Sequence, residues 1–191
     1  MMFLKQTRYA LLILLLFTVI TGVLYPLAVT GIGQLIFPRQ ANGSLITSAG
    51  KTIGSELIGQ PFADPGYFWG RLSATSPFAD NAGLSYASNF GPNNPALLDA
   101  ARKRLSDLKS ADPGNDRPVP VDLVTSSGSG LDPHISVAGA MYQVPRVARA
   151  RGLSDEKVHR LVEQSTEERQ LGILGERRVN VLRLNLALDT L

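Results

Sequence analysis

One short stretch of the chain has the residue types to hold an anion: Ser126-Ser127-Gly128-Ser129-Gly130. A turn of small residues between a strand and a helix presents backbone N–H groups and hydroxyls together, an arrangement that cradles phosphates. Asp132 opposes a tight phosphate there, because its carboxylate repels one. The same residues equally make a plain tight turn or a contact surface for a partner. Other chemistries lack their parts. The sequence holds no G-x-x-x-x-G-K-[ST] phosphate loop and no aspartate in a DKTGT-like phosphorylation sequence. His134 and His159 show no ligand-like spacing and read as structural side chains, and no Ser/His/Asp order stands out. With no cysteine, disulfides, thiolate catalysis and cysteine metal sites are excluded.

The largest element available to carry these residues is apolar. Residues 9–37 form a run without a charged residue between Arg8 and Arg39. A membrane span needs about 20 apolar residues at about 1.5 Å rise each, so the run predicts one transmembrane helix over 9–37. It follows a short N-terminus, 1–8, and precedes an extramembrane domain, 38–191. A cleaved signal is the rival reading, but its apolar core is shorter and ends in a small-x-small site. Val29-Thr30-Gly31 is a poor one. Pro26 predicts a kink near Gly22–Pro26. Thr18, Gly22 and Pro26 recur at intervals of four and make one small helical face suited to close packing against partner helices. Lys5 and Arg8 before the span favour a cytoplasmic N-terminus and an external domain.

Beyond the span the sequence predicts one α/β domain with a small sheet covered by about three helices. Residues 44–47 and 52–58 flank Ser48-Ala49-Gly50-Lys51 as a hairpin. Residues 59–95 are dense in glycine, proline, asparagine and serine. Tyr67, Phe68, Trp69, Phe78, Tyr86 and Phe90 are set among them, which predicts an ordered, extended segment pinned by its aromatics. A helix is expected over 95–109, capped by Asn94, with Leu97, Leu98, Ala101, Leu105 and Leu108 inward and Arg102, Lys103 and Arg104 outward. VPVDLVT at 119–125 reads as a strand. A helix from Ser136 should be kinked or split by Pro145 and closed by Gly152. The next starts at Ser154, with Leu153 and Val158 as a staple. The tail VNVLRLNLALD alternates as a half-buried strand, turning helical near Ala187.

Charge narrows the partners. The 19 Lys and Arg against 16 acids give the chain a charge of +3. Without Lys5 and Arg8 the count is 17 against 16, so the domain carries no basic field for nucleic acid. Asp64, Asp80 and Asp132 would enrich cations only if they clustered in space.

Seven blocks together carry a resemblance: ANGSLI at 41–46, GSELIGQPF at 54–62, YFWGRLSA at 67–74, SNFGPNNP at 88–95, SGSGLDPHIS at 127–136, QVPRVARARGLS at 143–154 and VNVLRLNLALD at 179–189. In this order they resemble the C-subunit family of the Kdp high-affinity potassium-transporting P-type ATPase, along essentially the whole chain. Leu72 stands where the family usually has proline. Glu176-Arg177-Arg178 lacks a proline often found before the valine.

The resemblance implies a single-pass protein of the bacterial inner membrane, without a catalytic centre or cofactor of its own. ATP, Mg2+ and K+ act at the level of the complex. Its implied partners are a channel-like potassium-translocating subunit, a P-type ATPase subunit and a small membrane peptide. The family is described as a catalytic chaperone that raises the ATPase subunit's affinity for ATP through a Ser/Gly stretch and a glutamine. Their matching positions here are Ser127, Gly128, Ser129, Gly130 and Gln143. An external domain would not meet cytoplasmic ATP. The alternative expectation is a cap over the channel-like subunit, acting without nucleotide contact.

Overall fold

The computed structural model of the chain describes residues 2–48 and 50–191. The expected hairpin loop includes Ala49, which lies outside the described residues. The chain divides into two units, one ending at Leu45 and the other Ile46–Leu191.

In the first unit, helix α1 (Met2–Val19) passes through a π-helical stretch, Ile20–Leu24, into α2 (Tyr25–Ile36). The run Phe3–Ile36 is 34 residues and contains an 18-residue window of mean hydropathy 2.5, long and apolar enough to cross a bilayer. The π-helical stretch lies just before Pro26, which has no N–H to donate. The Tyr25 N–H reaches back to the Ile20 carbonyl, so the backbone adjusts by widening one turn. Thr18 and Thr21 donate their hydroxyls to the carbonyls of Leu14 (2.8 Å) and Phe17 (2.6 Å). That satisfies polar groups which lipid would leave bare. Phe37 ends α2, and a single turn, α3 (Pro38–Ala41), follows. The Asn42 side-chain amide donates to Gln34 Oε1 at 3.0 Å.

Beginning at the boundary residue Leu45, β1 (Leu45–Ser48) pairs with β2 (Lys51–Ser55) as the expected hairpin. Helix α4 (Pro95–Ala111) starts as expected, with Asn94 Oδ1 accepting the Ala96 N–H. The second sheet is antiparallel in the order β3-β5-β4: β3 (His134–Ser136), β5 (Arg178–Asn180) and β4 (Thr166–Glu167). Ile135 and Thr166 both stand opposite Val179. Helices α5 (Val137–Arg151), α6 (Asp155–Gln164) and α7 (Val181–Leu188) complete the domain. The core gathers Phe68, Trp69, Leu123, Ile135, Val147, Val158, Val162, Val179, Leu184 and Leu188. A long apolar helix followed by an α/β domain is the fold class expected.

Four local expectations are corrected. Residues 119–125 form a 3-10 turn at Val121–Leu123, not a strand. Pro118 and Pro120 remove alternate donors there, and Asp122 turns its carboxylate onto the Ser136 N–H (2.7 Å) and hydroxyl (3.0 Å). Pro145 does not split α5. The carbonyl that proline leaves without its helical donor is that of Met141. Arg117 donates there at 3.4 Å and to the Tyr142 carbonyl at 2.8 Å. The tail is a strand only to Asn180, whose side-chain oxygen accepts the Arg183 N–H and caps α7. Nearly every residue of α7 is buried or half-buried, so the alternation of leucines carried no information about period. On α4, Leu98 is exposed and Leu108 alone of the expected stripe is fully buried, while Arg104 turns inward.

Candidate functional site

Phe68 and Trp69 lie in the first third of the extended segment, and side chains take the place of a neighbouring strand. On α7, Asn185 Oδ1 accepts the Phe68 N–H at 2.8 Å and its Nδ2 donates to the Phe68 carbonyl at 3.0 Å. On α5, Gln143 Oε1 accepts the Trp69 N–H at 2.8 Å and its Nε2 donates to the Trp69 carbonyl at 3.1 Å. Gln143 Nε2 also donates to the Gly139 carbonyl, and Oε1 accepts from Arg146 at 2.6 Å. All four hydrogen-bonding positions of this amide are therefore occupied, and the residue is 1% exposed.

Three arginines close around the segment. Arg146, 3% exposed, donates to the carbonyls of Pro65 and Tyr67 and stacks 4.5 Å from the Trp69 ring centre. Burial, with the Arg104 charge adding to it, lowers its pKa to about 10. Arg104 donates to the carbonyls of Gly70 (2.8 Å) and Leu123 (3.1 Å) and lies 5.1 Å from the same ring centre. Burial lowers its pKa as well. Arg151 stacks 4.4 Å from the Tyr67 ring centre, donates to the Gly66 carbonyl and pairs with Asp189 at 2.7 Å. Planar guanidinium groups suit this work, offering donors in the plane and a face to aromatics.

The Ser/Gly turn grips the next part of the same segment. Ser127 Oγ accepts the Gly130 N–H at 2.8 Å, and the Ser127 N–H donates to the Leu72 carbonyl. The Ser129 carbonyl accepts the Tyr86 N–H at 2.9 Å and the Ser85 hydroxyl at 3.3 Å. Ser129 Oγ accepts the Leu131 N–H. Gly130 accepts the Ser73 hydroxyl at 2.6 Å and has φ +68°. A Cβ on Gly130 would stand 2.5 Å from the Tyr86 carbonyl oxygen, whereas Gly128 faces open space. Gln143 meets the segment at Trp69, and residues 127–130 meet it at 72–73 and 85–86. Both serve the segment, at separate places along it. Thr18, Gly22 and Pro26 lie in the apolar unit, with open space beside Gly22.

Ion pairs flank the turn. Arg71 pairs with Asp132 at 3.1 Å, and His134 stands between Asp132 (3.4 Å) and Glu167 (3.7 Å). Burial raises the Asp132 carboxyl, but hydrogen bonds from His134 and the charges of Arg71 and His134 outweigh it and hold the pKa low. Asp80 lies near Asp132, with Gly59 between its carboxylate and the Asp132 carbonyl. Burial pushes its carboxyl up to about 6. Asp64 instead accepts the Gly66 N–H and, by its carbonyl, the Trp69 indole.

Arg146 and Asn185 carried no role in the sequence reading, and Arg104 was read as outward. Asn185 sits between leucines, where alternation reads it outward. The one available signal was Asn180 three residues before Arg183, the spacing of an N-cap.

A helix long enough to span a bilayer, followed by a domain whose polar side chains bind its own backbone, defines a membrane-anchored α/β protein. The K+-transporting ATPase c-chain family profile, KdpC, matches residues 7–190, and the chain belongs to that family. It is 68% identical over 182 residues to the potassium-transporting ATPase KdpC subunit of Methylococcus capsulatus, covering 95% of this chain and 96% of that one. Its identity to the KdpC subunit of Polaromonas naphthalenivorans is 63% over 184 residues, covering 96% and 94%. To that of Herpetosiphon aurantiacus it is 62% over 182 residues, covering 95% and 94%.

Proposed function

We propose that the chain is a non-catalytic subunit that assembles and stabilises a potassium-importing ATPase, with its domain outside the inner membrane over the mouth of a channel-like subunit. The apolar helix holds it beside that subunit, the P-type ATPase subunit and a small membrane peptide, with Thr18, Gly22 and Pro26 on the packing face. ATP, Mg2+ and K+ belong to the complex. A rise in the ATPase subunit's affinity for ATP then travels as coupling free energy between distant sites.

The observation that carries this reading is the commitment of Gln143. Its amide is saturated by Trp69, Gly139 and Arg146, so nucleotide contact would first have to release the Trp69 backbone. The second reading, nucleotide contact through residues 127–130, draws on the open surface at Gly128.

The test is the side of the membrane on which the domain lies. Gly114→Cys puts one thiol on an open loop of a cysteine-free chain. Labelling of intact cells by an impermeant maleimide is expected. Labelling only after the cells are opened would overturn the external cap and bring nucleotide contact forward.

A further inference from the structure

Between β4 and β5 the chain runs out into an arm, residues 168–177. Its tip bares Leu171 (88% exposed), Ile173 (76%) and Leu174 (53%). The tip is well fixed. Gln170 and Leu174 exchange backbone hydrogen bonds at 3.0 and 2.9 Å, and the Ile173 N–H closes the turn on the Gln170 carbonyl at 3.2 Å. Leu171 and Gly172 both have positive φ, +53° and +76°, the pattern of a type I′ turn. A leucine is strained in that region, and at this exposure little packing within the domain offsets the strain. The stem is braced by Arg169–Glu176 (2.5 Å), Arg177–Glu168 (2.9 Å) and Arg178–Glu167 (3.0 Å).

We propose that this arm is a docking finger whose three aliphatic side chains seat in an apolar pocket on another subunit of the ATPase assembly. The proposal rests on the subunit reading above.

Area and charge select this occupant. The tip bares roughly two aliphatic side chains' worth of surface, a few hundred Å² at most. A stable pair of identical chains buries about 800 Å² on each partner, so the finger alone is too small to hold a second copy. It suffices as one anchor for a partner that a shared membrane already keeps close, because tethering raises the effective concentration. The stem's three arginines and three glutamates pair with one another, so the arm offers no net positive charge to an anionic bilayer. Its tip also lacks the Trp or Tyr that favours the bilayer interface. An apolar tip inside a polar rim matches the make-up of a protein interface. A turn already fixed before binding loses little freedom when it docks.

The experiment uses the full-length chain carrying Leu171→Cys or, separately, Ile173→Cys. The rate of labelling by a hydrophilic maleimide is compared between the isolated chain in detergent and the purified complex. At least tenfold slower labelling in the complex is expected at both positions. Equal rates would overturn the finger while leaving the subunit reading intact. Protection of the isolated chain in phosphatidylethanolamine–phosphatidylglycerol vesicles would assign the tip to lipid. Protection that disappears on dilution would assign it to a second copy. Either result overturns the proposal. A wild-type chain that brings down no other subunit would remove the subunit reading, and the finger's partner with it.

Discussion

Gln143 and Asn185 hold opposite edges of one dipeptide. Asn185 takes both backbone groups of Phe68, and Gln143 takes both of Trp69. In extended chain, successive residues point their N–H and C=O to opposite edges, so the dipeptide lies between α5 and α7 as a strand lies between strands. Two amides thus replace a sheet where the sequence has too many glycines and prolines to form one.

Removing either amide strands a buried N–H and C=O. Gln143→Leu or Asn185→Leu should each cost about 2–4 kcal/mol and lower the melting temperature of the full-length chain by roughly 4–15 °C. The pair should be non-additive, since both hold one segment. Trp69 is the single tryptophan, so its fluorescence during thermal melts of the two single variants and the double checks this directly.

Arg146 is buried and meets carbonyls and a ring face in place of a carboxylate. Arg146→Lys keeps a cation but loses the planar fork. A destabilisation of about 2–3 kcal/mol is expected, read as a lower urea midpoint with a red-shifted Trp69 emission. An unchanged midpoint would mean that charge alone suffices there.

Burial pushes the Asp80 carboxyl up to about 6 in the folded protein, from an ordinary value of 3.8. Because the folded pKa is the higher one, the folded state favours the proton. The stabilising contribution is complete below about pH 4 and is lost as the pH rises through 6. Asp80→Asn should therefore raise the melting temperature at pH 7.5 and leave it nearly unchanged at pH 4. The backbone there has φ +55°, which asparagine tolerates. Partial solvation keeps the gain at pH 7.5 to about 1 kcal/mol. A melting curve at each pH for both proteins decides it.

The two glycines of the turn should behave differently. Gly130→Ala puts a Cβ against the Tyr86 carbonyl at positive φ and should cost about 1–3 kcal/mol. Gly128→Ala meets open space and should stay within about 0.5 kcal/mol. If Gly128→Ala nevertheless abolished the complex's ATP response at full stability, residues 127–130 would act by contact and not as a clasp.

The long apolar helix, the first hairpin, α4 and the start of α6, capped by Ser154 on the Lys157 N–H, were legible because each is decided locally, by an apolar run, a turn or a cap. The pinned aromatic segment was legible only in part: Phe68 and Trp69 are buried, whereas Phe78, Tyr86 and Phe90, expected to pin it too, are exposed. Its partners were not legible, because Arg104 and Arg146 look solvated until the fold sets Trp69 beside them. That Pro145 leaves α5 unbroken was hidden for a similar reason: the donor that satisfies its freed carbonyl, Arg117, comes from a separate loop. The clasp at 127–130 was written in the sequence as small residues, but two of the groups it clasps lie 44 and 57 positions upstream.

The hold on Phe68 also orders events in time. Its partner Asn185 lies 117 residues further along the chain. While the chain is being synthesised, the aromatic segment emerges long before anything exists to receive it. The domain therefore closes only once α7 has left the ribosome. A nonsense codon near Leu184 would leave the Phe68 backbone without the amide that holds it.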